Sequence, residues 1–188
     1  MADIIKLETR RLVLRQWREE DMKTFSMINA DPMVMEYYPG ILDSKQSNDL
    51  AYKIKGRIEE NGWGFWAVEL KNSNAFIGFV GLNKPSYELP VTPCVEIGWR
   101  LSQKHWGQGY ATEAAQKCLE VAFCQLNFSE VYSFTPVQNK RSEAVMLRLN
   151  MLNMQKNFAH PIIPKGSSLR EHVLYKITQQ AWKNSELN

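Results

Sequence analysis

The chain predicts a mixed α/β fold, an α+β sandwich with helices on both faces of one sheet. Three observations carry the prediction. The hydrophobic pattern switches between period two and helical spacing in the order β-α-(α)-α-β-β-β-α-β-α-β-β. Near the centre, Val95, Ile97, Trp99 and Leu101 alternate with Cys94, Glu96, Gly98 and Arg100. A glycine turn follows, then a helical stripe of Ala111, Ala114, Ala115, Cys118, Leu119 and Ala122. The repeated βαβ units of a dinucleotide fold are absent, as is G-x-G-x-x-G with an acid about twenty residues on.

Each element has its own signal. Leu12 and Leu14 against Val13 and Arg15 give a first strand over 10–17. A helix runs from Glu19 to Ala30 with Met22, Phe25, Met27 and Ile28 inward. Asp31-Pro32 stops it, because the residue before proline is driven out of the α region. Met33 to Tyr38 reads as a short helix or turn. Ser44 is the candidate N-cap of a helix to Glu60, striped by Leu50, Ile54 and Ile58, with Asn61-Gly62 as its stop. Strands over 63–70 and 75–82, joined by Lys71-Asn72-Ser73-Asn74, form an antiparallel hairpin. Trp63, Phe65, Trp66, Phe76 and Phe79 lack interleaved basic residues, so they fit a core better than a base-stacking surface. Pro85, Pro90 and Pro93 make 84–93 an irregular loop. Then come strand 94–102, the glycine turn, helix 110–126, strand 130–135, a short helix over 140–149, and strands over 151–158 and 170–178. One domain over 8–179 and a fraying polar tail over 180–188 complete the reading.

Composition narrows the function. At 188 residues the chain suits one domain with a core that needs no disulfide or metal. Its 44% apolar and 23% charged residues are ordinary for a soluble protein. A net charge of +3, with no dense basic block, favours anionic ligands mildly and falls short of a nucleic-acid signature. Arg10, Arg11, Arg15 and Arg18 flank a strand pattern and read as a solvated face. Cys94, Cys118 and Cys124 contain no C-x-x-C, which speaks against zinc and a disulfide framework; Cys118 falls on the helix core face. No signal peptide and no membrane span is expected, and the protein reads as cytoplasmic. No G-x-x-x-x-G-K-[ST] is present.

The strand-turn-helix at Lys104-His105-Trp106-Gly107-Gln108-Gly109-Tyr110-Ala111-Thr112-Glu113 is the most informative stretch. The first amides of a helix lack internal partners, and the helix dipole adds partial positive charge there. Such a turn can hold an anion, a pyrophosphate in particular. It can also be a tight turn whose glycines serve only positive φ. The local pattern leaves both readings open.

Four segments in order resemble the GCN5-related N-acetyltransferases, and more narrowly the RimJ/RimL-like branch. Glu8-Thr9-Arg10-Arg11-Leu12-Val13-Leu14-Arg15 is similar to its opening strand, and Val95-Glu96-Ile97-Gly98-Trp99-Arg100-Leu101 to its fourth. Trp106 to Ala114 resembles its pyrophosphate loop, and Asn139-Lys140-Arg141-Ser142 with Met146-Leu147-Arg148-Leu149 its N-x-x-S helix. The chain departs from the pattern at Lys104, where the family carries Arg or Gln, and at Asn150, where it carries Gly. It departs again at Met146, where many relatives place a tyrosine that protonates the departing thiolate. Asn150 still tolerates a left-handed helix stop.

The resemblance implies a GNAT-type fold, with a central mixed, mostly antiparallel sheet of about seven strands flanked by helices. It implies acetyl-CoA as donor, no metal, and direct transfer to a primary amine, either a small molecule or a protein N-terminus. Lys104, Trp106, Gly107, Gln108, Gly109, Tyr110, Ala111 and Thr112 would hold the diphosphate, with backbone amides from Trp106 onward. The backbone at Ile97, Trp99 and Leu101 would pair with the pantetheine arm like an added strand. Asn139 would bond the arm or simply cap its helix. Ser142 would stand in for the missing tyrosine. Amine attack needs a proton acceptor. Glu96 and His160 are the candidates, against the plainer readings of a paired carboxylate and a loop histidine bonded to backbone. His105 packs or faces solvent, and His172 has no evident partner. Met33, Met35, Tyr37 and Tyr38 are pocket candidates, since the region after the first helix is expected to cover the acceptor. No nucleic acid or membrane partner is expected, and a monomer and a homodimer both fit. A non-catalytic acyl-CoA-binding module is the alternative, motivated by Met146; a nucleotide-binding protein is a more distant one.

Overall fold

The alternation at Leu12 becomes strand β2 (Leu12–Arg15), which pairs antiparallel with β1 (Leu7–Glu8) and with β3 (Phe65–Leu70). This computed structural model describes residues 2–186, which form nine strands and five α-helices. They gather into two units, Met1–Leu82 with Gly98–Cys118, and Asn83–Ile97 with Leu119–Asn188.

In the first unit the strand order is β1-β2-β3-β4-β5, with β4 spanning Phe76–Asn83 and β5 spanning Glu96–Leu101. The expected hairpin is β3 and β4, antiparallel, with Asn74 at φ 54° in its turn. The first strand is shorter than 10–17 because Thr9 turns the chain. Its Oγ1 accepts from Leu12 N at 2.9 Å and its N–H donates to Leu12 O at 3.0 Å. Helix α1 spans Asp21–Asn29, and 32–40 forms turns rather than a helix. Helix α2 spans Ser44–Asn61, but its N-cap is Asp43, one residue before the expected Ser44. Asp43 Oδ1 accepts from Gln46 N at 2.8 Å while Gln46 Oε1 accepts from Asp43 N at 3.0 Å, a reciprocal capping box. The aromatic strands do form core: Trp66, Ala67, Val68, Ile77, Val80 and Leu82 are buried with Leu12, Leu14, Trp17, Phe25, Ile54 and Ile58.

Of the arginines near the N-terminus, Arg10 and Arg18 are exposed as a solvated face requires, Arg11 is half-buried, and Arg15 departs from the expectation. Arg15 is only 6% exposed. Its Nη1 and Nη2 reach both oxygens of Asp21 at 2.8 and 2.9 Å, and its Nε reaches Glu69 at 2.8 Å. A buried guanidinium needs such partners, because its desolvation is otherwise uncompensated. Period-two patterning registers the side chain's polarity but not the carboxylates that neutralise it.

Helix α3 spans Tyr110–Cys124. Its stretch from Leu119 belongs to the second unit, whose strand order is β5-β6-β9-β7, with β8 also on β9. Here β6 spans Glu130–Pro136, β7 Leu152–Asn153, β8 Phe158–Ala159 and β9 Glu171–Thr178. β5 and β6 are parallel, with Glu96 opposite Tyr132, while β6–β9, β7–β9 and β8–β9 are antiparallel. The expected strand over 151–158 is thus interrupted. Asn153 Oδ1 accepts from Gln155 N at 2.8 Å, and Gln155 takes φ 55°, a local turn that breaks the ladder. These two-residue pieces, with β1, raise the count above the seven strands expected.

Helix α4 spans Lys140–Arg148 and ends as Asn150 predicted, at φ 57°. Met151 N donates to Met146 O at 3.1 Å and Asn150 N to Leu147 O at 3.0 Å, a Schellman stop. The polar tail carries helix α5 (Gln179–Glu186). Gln179 Nε2 donates to Phe123 O at 2.7 Å and Trp182 packs on Phe123 at 5.6 Å, so this segment is tied down. Residues 187 and 188 of the expected tail lie outside the described residues.

Candidate functional site

Strand β5, a 3₁₀ turn over Gln103–His105 and the start of α3 place the glycine loop in the first unit. His105 N donates to Ser102 O at 2.9 Å and Trp106 N to Gln103 O at 3.1 Å. Trp106 Nε1 donates back to Leu101 O at 2.8 Å, pinning the loop to the end of β5, and Gln108 Nε2 reaches Lys104 O at 3.1 Å. The amide of Trp106 is therefore committed within the turn. Among the described residues, the amides of Gly107, Gln108, Gly109, Tyr110, Ala111 and Thr112 have no acceptor, and intrahelical bonding resumes with Glu113 N donating to Gly109 O at 2.9 Å. Gly107 and Gly109 hold φ 72° and 79°. A Cβ on Gly107 would meet nothing within 4 Å, so protein crowding does not require glycine there. Backbone conformation does, and it leaves an open cradle of unpaired donors at a helix N-terminus, which fits a diphosphate.

A clamp behind this loop was not foreseen. Glu113, in the first turn of α3, accepts from Thr9 Oγ1 at 2.6 Å, Arg11 N at 2.9 Å and Arg11 Nε at 2.6 Å. Burial pushes the Glu113 carboxyl up, but the bonds from Thr9 and Arg11 outweigh it and hold the group below its usual 4.5. Arg11 lies 4.5 Å over the Tyr110 ring, and its Nη2 sits 3.4 Å from where a Cβ on Gly109 would be. The clamp sets the first turn of α3 and adds a cation beside the cradle. Both ends stood in the sequence, at Thr9-Arg10-Arg11 and at Ala111-Thr112-Glu113, yet nothing local signalled that they meet.

In the second unit Asn139 is the N-cap of α4. Its Oδ1 accepts from Ser142 N at 3.1 Å, and its Nδ2 donates to Thr135 Oγ1 at 2.9 Å and Ser142 Oγ at 3.1 Å. Both amide hydrogens are used, so Asn139 orients Ser142. Met146, one turn further on, is 1% exposed. Glu96 is half-buried, and its Oε1 accepts from Asn83 Nδ2 at 2.6 Å.

His160 is not held by the backbone through its ring. It is 8% exposed and its Nδ1 is buried without a hydrogen-bond partner. It packs 4.6 Å from His172, 5.1 Å from Tyr87 and 5.7 Å from Phe134. Burial, then Arg170, lowers its pKa, which favours the neutral ring. His172, expected to lack a partner, also has Nδ1 3.2 Å from Arg170 O, and burial pushes it down to about 4. Cys94 and Cys118 are held as thiols. Burial, then Glu96 and Glu130, raises Cys94 to about 11, and burial alone raises Cys118 further. Among the described residues, no group of His, Cys, Asp and Glu could hold a metal, and no helix is long and apolar enough to cross a membrane.

Comparison with known proteins agrees with the geometry. Residues 11–152 match the model of the acetyltransferase (GNAT) domain. The chain is 33% identical over 183 residues to the FsC-acetyl coenzyme A-N(2)-transacetylase of Aspergillus fumigatus, covering 94% of this chain and 77% of that one. Among solved structures, a GNAT-family acetyltransferase from Bacillus anthracis superposes with TM-score 0.78 at 24% identity, over 94% of this chain and 99% of the other. The spermidine N-acetyltransferase of Vibrio cholerae, in complex with CoA and spermine, superposes with TM-score 0.72 at 18% identity, over 94% and 100%.

Proposed function

Because the chain belongs to the GNAT acetyltransferase family, we propose that it is an acetyl-CoA-dependent N-acetyltransferase of the RimJ/RimL-like branch, acting on a primary amine of a small molecule or a protein N-terminus. The single observation that carries the proposal is the run of unpaired amides from Gly107 to Thr112 at the start of α3, with open space at Gly107. In this reading those amides bind the diphosphate, with Lys104 adding positive charge, and β5 offers backbone groups at Ile97, Trp99 and Leu101 to the pantetheine amides. The coenzyme supplies an activated acetyl thioester. Glu96 takes the proton from the acceptor nitrogen, its carboxylate steadied by Asn83. His160 is the second candidate, supported by its neutral ring and unpaired Nδ1. Ser142, oriented by Asn139, donates a hydrogen bond to the departing thiolate; its assignment rests on the family resemblance. Met146, buried and with no acidic proton to donate, offers nothing there.

The test is acetyl-CoA consumption across a panel of primary amines, repeated with Glu96→Gln, His160→Gln and Ser142→Ala. Turnover that falls on the acid side of the pH profile in the wild type, and is flattened by Glu96→Gln, is expected. Coenzyme binding with no turnover of any amine would overturn the proposal.

A further inference from the structure

Two arginines of the first unit are buried to the same degree and treated differently. Arg15, 6% exposed, has Asp21 and Glu69 around it. Arg100, on β5 and 9% exposed, has no carboxylate ion pair among the described residues. Its Nη1 donates at 2.7 Å to Oδ1 of Asn29, a neutral amide that is itself fully buried and tied by Nδ2 to Ser47 Oγ at 2.9 Å. The guanidinium lies 4.1 Å over the ring of Tyr38 and 5.5 Å over that of Phe79. Its Nε is buried and has no hydrogen-bond partner.

Ring faces and one amide oxygen fix such a group in place but leave its charge and its Nε–H unanswered. Burying a cation is costly unless an anion joins it. A planar guanidinium held against two rings, with an unused Nε–H, matches the two oxygens of a carboxylate. Tyr38 comes from the 32–40 turns, the segment expected to cover the acceptor. We propose that Arg100, backed by Asn29 and Tyr38, binds a carboxylate carried by the acceptor amine, so that the substrate is an amino acid or peptide-like amine rather than a polyamine. This rests on the acetyltransferase reading above. A polycation would meet an uncompensated positive charge and be rejected.

The probes are free α-amino acids and dipeptides beside their C-terminal amides, with spermidine as the polycation, assayed with acetyl-CoA and the full chain. The acid should exceed its amide in kcat/KM by about tenfold or more, the scale of a charge-assisted hydrogen bond. Arg100→Lys should remove most of that preference, chiefly by raising KM for the acid. Equal turnover of acids and amides, a preference for spermidine, or an Arg100→Lys protein that keeps the acid preference would each overturn the inference. If nothing on the panel turns over, thermal melting with CoA decides. An acid that raises Tm where its amide does not upholds the inference, and no acid raising Tm overturns it. The wild-type comparison stands even if the variant does not fold. Absence of coenzyme binding by folded wild type would overturn the acetyltransferase reading itself; coenzyme binding without acid preference overturns this inference alone.

Discussion

Glu113→Gln tests whether the clamp behind the glycine loop sets the coenzyme site. The substitution keeps one carbonyl oxygen for Thr9 or the Arg11 amide, but it removes the charge and turns an N–H toward the Arg11 guanidinium. Hydrogen bonds to a charged group are worth about 1.5–3 kcal/mol. The Arg11 side chain is 35% exposed and that of Glu113 is 19% exposed, so solvent screening brings the ion-pair part down to about 1 kcal/mol. A net loss of about 2 kcal/mol follows, which for a chain of this length is a fall in Tm of about 4–8 °C. The carboxyl is held below its usual 4.5 in the fold, so its stabilisation is full above that pH and disappears as pH falls through the folded value. Melting curves of wild type and variant should therefore differ at pH 7 and converge in acid. Calorimetry at pH 7 should show coenzyme A binding weakened about tenfold, because Arg11 is released from Tyr110 and the cradle loses its backing. Equal Tm at pH 7, with equal affinity for coenzyme A, would refute the reasoning.

Gly107→Ala puts a methyl into open space at φ 72°, so it should cost about 1–2 kcal/mol of backbone strain and weaken coenzyme binding more than it lowers Tm, as read by calorimetry beside thermal melting. Asp21→Asn strips Arg15 of its bidentate partner and should destabilise by about 3–5 kcal/mol in urea unfolding, with coenzyme affinity intact in the folded fraction. His172 is pushed from 6.5 down to about 4, so the unfolded chain binds the extra proton and stability falls between those pH values by about 3 kcal/mol. His172→Phe should remove that slope from a pH series of urea unfolding curves, and an unchanged slope would assign it elsewhere.

Much of the fold was legible because local chemistry wrote it. The Asp31-Pro32 stop, the hairpin at Lys71–Asn74 and the left-handed Asn150 depend on a few neighbouring residues, and each stands where the pattern put it. The interrupted 151–158 stretch was misread because alternation cannot see Asn153 folding back on Gln155 N. The glycine cradle was legible from Gly107 and Gly109, although the Trp106 amide proved to belong to the 3₁₀ turn. Arg11 and Glu113 lie about a hundred positions apart, and Arg100 and Asn29 about seventy, so their pairing depends on topology rather than on spacing. Arg15 went astray in part for the same reason, since Glu69 lies 54 positions away although Asp21 is only six along the chain. Charges reveal themselves in sequence only through near neighbours, and here the partners arrive from other strands and helices.

The account turns on the amides at the head of α3, and isothermal titration of coenzyme A into the folded wild-type protein tests them most directly. Saturable binding at one site per chain, lost or sharply weakened in Gly107→Ala, is the predicted result. No heat of binding from a protein that melts cooperatively would contradict it.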